Sequence, residues 1–303
     1  MSGGHGHGTA TGHAGARYQW RLAVSLTLVA GFFAVELIVG LLSGSLAVLS
    51  DAGHLAADVV TLGAALAATR IATRKDTTGR RTFGSYRAEV FASGLAVLVM
   101  AGVSVYIAVE AINRIGTHPE VSGTPMLVVG AVGLAINVMG ILLLRGGSAE
   151  SLNVKGAYLE AVADAAGSLG VLAAGVLVSL TGQGWWDTVV ALAIGVFVMA
   201  RAIMLGREVI AVLGQHAPAG MDPNEITAAL AAVPGVQQVH DLHLWTLTSG
   251  MHVASAHLVT ANDAQTHSVL DFARQTLADR FALTHATLQV EPASHTGCEE
   301  ITW

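Results

Sequence analysis

Apolar residues come in long stretches through the first two thirds of the chain. A bilayer-spanning helix needs about 20 mostly apolar residues. Six stretches qualify: Trp20–Leu42, Leu46–Ala68, Val90–Ile112, Thr124–Leu144, Gly156–Leu180 and Trp185–Leu205. Ser43-Gly44-Ser45 and Thr181-Gly182-Gln183-Gly184 are short connections, so each joins antiparallel neighbours. From about His216 the texture changes. Asp222-Pro223-Asn224-Glu225 reads as a helix start, with an N-cap Asp, Pro at the first helical position and Glu in the first turn. Val236–Leu247 and Met251–Val259 are β-rich runs around Thr248-Ser249-Gly250, a hairpin pattern. Asp263–Phe281 has helical periodicity, and His285–Glu291 alternates as a strand with Ala286, Leu288 and Val290 on one face. The order helix–strand–strand–helix–strand suits a small ferredoxin-like α+β domain. The expected organisation is a disordered Gly/His-rich tail over 1–16, six membrane helices within 17–207, the α+β domain over 208–292 and a C-terminal tail over 293–303.

Composition agrees with a membrane protein. Of 303 residues, 53% are hydrophobic and 12% charged, against roughly 25% charged in soluble chains. Mean hydropathy is +0.60. These values argue against a soluble enzyme and exclude disorder, collagen and coiled coil. The single cysteine rules out a disulfide framework and a four-thiolate zinc site in one chain. A net charge of −6 argues against nucleic acid as a partner. Met1–Ala16 has no basic segment leading into an apolar core, so no cleaved signal is expected.

Basic residues orient the spans. Arg17 and Arg21 precede the first. Arg70, Arg74, Lys75, Arg80, Arg81 and Arg87 follow the second; Arg145 and Lys155 separate the fourth from the fifth; Arg201 and Arg207 close the sixth. The opposite side has Arg114. Both termini are therefore expected in the cytoplasm. The two lysines against thirteen arginines suit a GC-rich bacterial genome, and the expected location is the inner membrane, as a multi-pass protein.

Ionisable residues inside the spans are the candidate chemistry. Each costs about 2.5–3.5 kcal/mol at mid-bilayer and so calls for a polar task. His54 and Asp58 on the second span are i,i+4, as are Glu160 and Asp164 on the fifth. That spacing sets each pair on one helix face. Two facing helices then offer one imidazole and three carboxylates, a four-ligand set of the kind Zn²⁺ binds tetrahedrally. Without a cation or protons between them, the three carboxylates would repel. Asp51, one turn before the pair, is either a helper or a packing residue. Glu36 and Glu110 are isolated and read as structural, Glu110 near Arg114.

At this point the chain resembles the cation diffusion facilitator family. Ser45-Leu46-Ala47-Val48-Leu49-Ser50-Asp51-Ala52-Gly53-His54, with Asp58, is similar to the family's second span. Asn153-Val154-Lys155-Gly156-Ala157-Tyr158-Leu159, through Asp164, is similar to its fifth. Arg81-Thr82-Phe83-Gly84 and Arg87-Ala88-Glu89 resemble the loop before its third span, and Val239-His240-Asp241-Leu242-His243-Leu244-Trp245 the first strand of its cytoplasmic domain. The resemblance runs from about Arg17 to Pro292. It implies a dimeric exporter of divalent metal, chiefly zinc in the branch with His-x-x-x-Asp in the second span, exchanging metal for protons. Residues 17–207 would be the transport domain and 208–292 a metal-binding, dimerising one. Zinc members commonly repeat His-x-x-x-Asp in the fifth span. Glu160 stands in that first position here, which makes the donor set richer in oxygen and opens the site to cadmium, cobalt or manganese. The loop Lys75–Arg81 has no histidine, so the extra metal that some members bind there is not expected.

The resemblance also sets His240, His257 and Glu291 at positions that hold regulatory zinc in relatives, and His285 at a further ligand position in some of them. His240 and Glu291 lie on strands that could pair. His243 and His267 read as surface residues. His295 and Cys298 lie in the tail, where a thiolate could complete a site or be merely solvated. His5, His7 and His13 form either a metal-collecting arm or an unspecific tail. Two other classes compete with export: a membrane metalloenzyme and a metal sensor. His-Glu-x-x-His and Gly-x-Ser-x-Gly are both absent, and four ligands would close the open position a catalytic zinc needs, so an enzyme is not expected.

Overall fold

The computed structural model describes residues 12–72, 80–117, 119–144, 152–248, 250–261 and 266–294, with backbone only at 12–25, 61, 64–66, 68–72, 143–144 and 152–160. Compact contacts divide the chain into a unit ending at Gly206 and a second beginning at Arg207.

The first unit is helical. Its elements are α1 (Gly12–Ser43), α2 (Leu46–Ala72), α3 (Arg87–Asn113), α4 (Gly123–Leu144), α5 (Leu152–Thr181) and α6 (Trp185–Leu213), whose last turns run on into the second unit. Among the described residues, α1, α3, α4, α5 and α6 are long and apolar enough to cross a membrane. α2 is 27 residues long. The chain reverses between α1 and α2 at Gly44 and between α5 and α6 at Gly182, with φ of +66° and +67°, backbone that glycine adopts without a Cβ clash. Residues 12–16, expected within a disordered tail, belong to α1. His13-Ala14-Gly15-Ala16 contains no proline to stop the helix running back from the span.

Glycines let some of these helices approach closely, as at Gly53 against Val103 and Gly130 against Leu172. The core is built on Leu46, Ala47, Val48, Ala57, Met100, Ile107, Met126, Val171, Ala191 and Val198. Apolar side chains such as Leu28, Leu42, Phe91, Leu98, Leu180 and Val196 face outward, the reverse of a water-soluble bundle and the pattern a lipid-facing surface needs.

The second unit carries α7 (Pro223–Ala231), β1 (Val236–Thr248), β2 (Met251–Thr260), α8 (Thr266–Phe281) and β3 (His285–Pro292). Asp222 caps α7 as expected, its carboxylate accepting from the Asn224 amide, with Pro223 at the first helical position. The three strands form one sheet in the order β1-β2-β3, β1 antiparallel to β2 and β2 parallel to β3. Ile226, Leu230, Leu244, Ala254, Leu258, Val269, Leu277 and Leu283 form a core separate from that of the helical unit. The strands bearing His240 and Glu291, which could have paired directly, have β2 between them.

Candidate metal centres

α2 opens with Ser45, Leu46 and Ala47, whose groups all point at one carboxylate. Asp187, in the first turn of α6 and fully buried, accepts from Ser45 Oγ (2.6 Å), the Leu46 amide (2.7 Å) and the Ala47 amide (3.0 Å). Arg114 completes the cluster. It donates to Asp187 from 3.4 Å and to the Gly44 carbonyl from 3.0 Å, and it pairs with Glu110 at 3.3 Å. The free amides of a helix N-terminus attract negative charge, so Asp187 ties the start of α2 to the start of α6. Sequence reading missed this role. Its signal was an acidic residue at the head of an otherwise apolar span.

From that shared level α2 descends about 12 Å to His54 at 1.5 Å per residue. His54 and Asp58 lie on one face, one turn apart, and α5 brings Asp164 to meet them. His54 Nε2 is 2.9 Å from Asp164 Oδ1 and 3.8 Å from Asp58 Oδ2. One donor atom from each of the three residues lies within 4.8 Å of the others. His54 is buried, while the two carboxylates are partly accessible. Glu160 is one turn before Asp164 on α5, and its side chain lies outside those described. Asp51 is buried one turn above His54, against α5. A Cβ on Gly167 would come within 2.7 Å of its Oδ1, so glycine there lets the carboxylate reach the helix. Asp51 and His54 line a cavity of about 300 Å³ with Gly167, Gly170 and Ile194. Glu36 is buried in α1. Sequence reading also missed Arg201 of α6, taken as a topology charge: its Nη1 lies 2.8 Å from His54 Nε2.

The second centre lies on the sheet. His240 and His257 face each other across β1 and β2, with ring centroids 5.0 Å apart in a T-shaped contact. Glu291 reaches both from β3, with Oε1 2.9 Å from His257 Nδ1 and Oε2 3.5 Å from His240 Nε2. Gln289 donates to Glu291 Oε1 from 2.8 Å. The three donor atoms lie within 4.8 Å of one another, with Glu291 and His240 held out of water. Two imidazoles and a carboxylate are a donor set that fits Zn²⁺.

Two further placements depart from the sequence reading. His285 does not join this centre: it opens β3 opposite Val253, six residues from Glu291, about 20 Å along a strand. Asp241 does approach it, with Oδ2 4.0 Å from His257 Nε2 and Oδ1 3.1 Å from His243 Nε2. Strict alternation would send Asp241 to the face opposite His240. A register shift between His240 and His243, with Asp241 at φ +53°, changes its direction. His267 pairs with Asp271 on the exposed face of α8 at 3.8 Å. His5, His7, His295 and Cys298 lie outside the described residues, as does the side chain of His13.

Comparison with known proteins places both units. Residues 22–213 match the cation efflux transmembrane domain, and residues 218–293 the cytoplasmic domain of cation efflux proteins. The chain is 39% identical over 303 residues to the metal cation efflux system protein CzcD of Cupriavidus metallidurans, covering 99% of this chain and 92% of that one. It is 34% identical over 297 residues to a cadmium, cobalt and zinc/H(+)-K(+) antiporter of Bacillus velezensis, covering 96% and 93%. It is 32% identical over 273 residues to the zinc transporter ZitB of Escherichia coli, covering 89% and 87%. Among solved structures, the metal-bound C-terminal domain of the CzcD transporter is 41% identical, covering 23% of this chain and 99% of that one at a TM-score of 0.22. With both of its units matched along nearly their whole length, the chain belongs to the cation efflux family, the cation diffusion facilitators.

Proposed function

We propose that the protein exports divalent metal cations, zinc foremost, from the cytoplasm by proton antiport at the His54–Asp58–Asp164 centre, with Glu160 as fourth ligand. In this reading α2 also crosses the membrane, as the second of six spans, both termini are cytoplasmic, and the protein is a homodimer in the inner membrane. The carrying observation is that an imidazole and two carboxylates from two membrane helices converge within 4.8 Å. So dense a set of ionisable groups is costly in a membrane, and an ion-binding task accounts for it. The relatives' names, which include zinc, cadmium and cobalt transport, support the cargo class.

Imidazole and carboxylate coordinate metal only when deprotonated. The same atoms therefore bind either the ion or protons, and that exclusion couples the two fluxes. Cytosolic metal enters with the site open inward. The helices then rock to open the site outward, where protons displace the ion and return with the protein. The ferredoxin-like second unit is a dimerising regulator. His240, His257 and Glu291 would hold its zinc, which supplies a cross-strand tie rather than a step in transport.

The test is zinc flux in proteoliposomes holding only this protein. Flux driven by a proton gradient is expected. Zinc binding without flux would instead make the protein a sensor.

A further inference from the structure

Nε2 of His54 lies 2.8 Å from Arg201 Nη1 and 2.9 Å from Asp164 Oδ1. A ring nitrogen carries either a hydrogen or a lone pair. With a hydrogen, Nε2 donates to Asp164 and meets an N–H of Arg201 head-on. With a lone pair, it accepts from Arg201 and faces the lone pairs of Asp164. The atom cannot satisfy both neighbours. The state that favours Arg201 leaves the imidazole nitrogen in the form that coordinates metal, with a cation already against it.

The direction of approach follows from the helix starts. α2 and α6 begin at one level, tied by Asp187. His54 lies about 12 Å and Arg201 about 21 Å along their helices from that level. The Arg201 backbone is thus about 9 Å beyond His54, toward the end of α6 that leads into the cytoplasmic domain, and its side chain extends back to the site.

We propose that Arg201 is an internal counter-cation that shares the transport site with its cargo. Its guanidinium and the incoming metal take turns against His54 Nε2, and the metal must displace it toward the cytoplasmic end of α6. This rests on the reading of His54, Asp58 and Asp164 as the transport site. Arginine suits the task because it keeps its charge at any working pH. A divalent ion brings two charges against its one and displaces it. A monovalent cation gains no charge by the exchange, so Arg201 also rejects the abundant alkali ions. The competition weakens metal binding, which lets the ion leave on the far side.

The test is equilibrium Zn²⁺ binding by the full-length protein in nanodiscs, in a His257→Ala background that removes a donor from the cytoplasmic cluster. Arg201→Gln is expected to tighten binding about tenfold, the factor for a site that Arg201 holds roughly nine-tenths of the time. Arg201→Gln should also let K⁺ compete with Zn²⁺. Arg201→Lys, which keeps the charge, should bind zinc within about twofold of the parent. Unchanged or weaker binding in Arg201→Gln, beside an Asp164→Ala variant that has lost the site, overturns the proposal and leaves the transport site standing. Zinc binding by Asp164→Ala equal to the parent's removes the site reading and this proposal with it. A second measurement needs no loss of the side chain. The Arg201 Nε–H resonance, assigned by its absence in Arg201→Lys, should shift on zinc saturation; a resonance indifferent to zinc overturns the proposal.

Discussion

The carboxylate of Asp187 holds the backbone amides of Leu46 and Ala47 at 2.7 and 3.0 Å across 141 and 140 residues of chain. One side chain of α6 therefore sets the height of α2, and with it the height of His54 and Asp58. Asp187→Ala takes the acceptor from the Ser45 hydroxyl and the Leu46 and Ala47 amides, at about 1–3 kcal/mol for each buried group, and removes one of the Arg114 partners. A clear fall in the thermal midpoint of the detergent-solubilised protein is expected. Asp187→Asn keeps an acceptor oxygen and should lie between Ala and the parent. A midpoint unchanged in Asp187→Ala would mean that α2 is held in place by packing alone.

Asp58→Ala and Asp164→Ala should each abolish zinc flux in proteoliposomes while the protein still inserts and purifies as the parent does. Each removes one carboxylate from a centre whose donor atoms lie within 4.8 Å. Near-parental flux in either variant would place the cargo elsewhere.

Zinc flux should accelerate when the receiving compartment is acidified at clamped voltage. Protons there occupy the vacated ligands and prevent rebinding, because metal and protons compete for the same atoms. The sign is specific: acidifying the donor compartment should slow the flux. Rates indifferent to both manipulations would describe a uniporter.

In the cytoplasmic unit, His240→Ala and Glu291→Ala should each abolish high-affinity zinc binding by residues 207–303, measured by calorimetry. This fragment has its own core of Ile226, Leu230, Leu258 and Leu277. His285→Ala should bind as the parent does, since His285 opens β3 opposite Val253 and away from Glu291. Loss of binding in His285→Ala would mean that a second copy of the chain completes the site.

The sequence made one helical face of His54 and Asp58 legible, because i,i+4 spacing is a property of the helix itself. It also marked the α7 start, because Asp222 and Pro223 act within a single turn. What it did not reveal depends on partners distant in the chain or on broken periodicity. Arg201 reads as a positive-inside charge until α6 is set beside α2, and Asp187 as an ordinary first-turn acid until the Leu46 amide is found on it. Asp241 escaped because alternation fails at a bulge. The strand order escaped because two strands that can pair need not do so: β2 inserts between them and contributes His257 to the same cluster.

Glu160 should broaden the choice of cation. It precedes Asp164 by one helical turn on α5, where zinc-selective relatives are expected to carry histidine. Imidazole is a borderline nitrogen donor that suits Zn²⁺, whereas a carboxylate also takes harder ions such as Mn²⁺. A glutamate binds through one or both oxygens and so adapts to larger ions such as Cd²⁺. It also adds a negative charge, which strengthens the attraction for any divalent ion. The parent should therefore move Zn²⁺ and at least one of Cd²⁺, Co²⁺ and Mn²⁺. Glu160→Ala should lose transport as the coordination number drops. Glu160→His should keep zinc flux and lose the others in proportion to their preference for oxygen, with Mn²⁺ falling first. Competition flux of Zn²⁺ against the three other ions, in parent and Glu160→His, makes the comparison. Identical selectivity would show that Glu160 does not set the choice, and a parent that moves Mn²⁺ alone would remove zinc as the cargo.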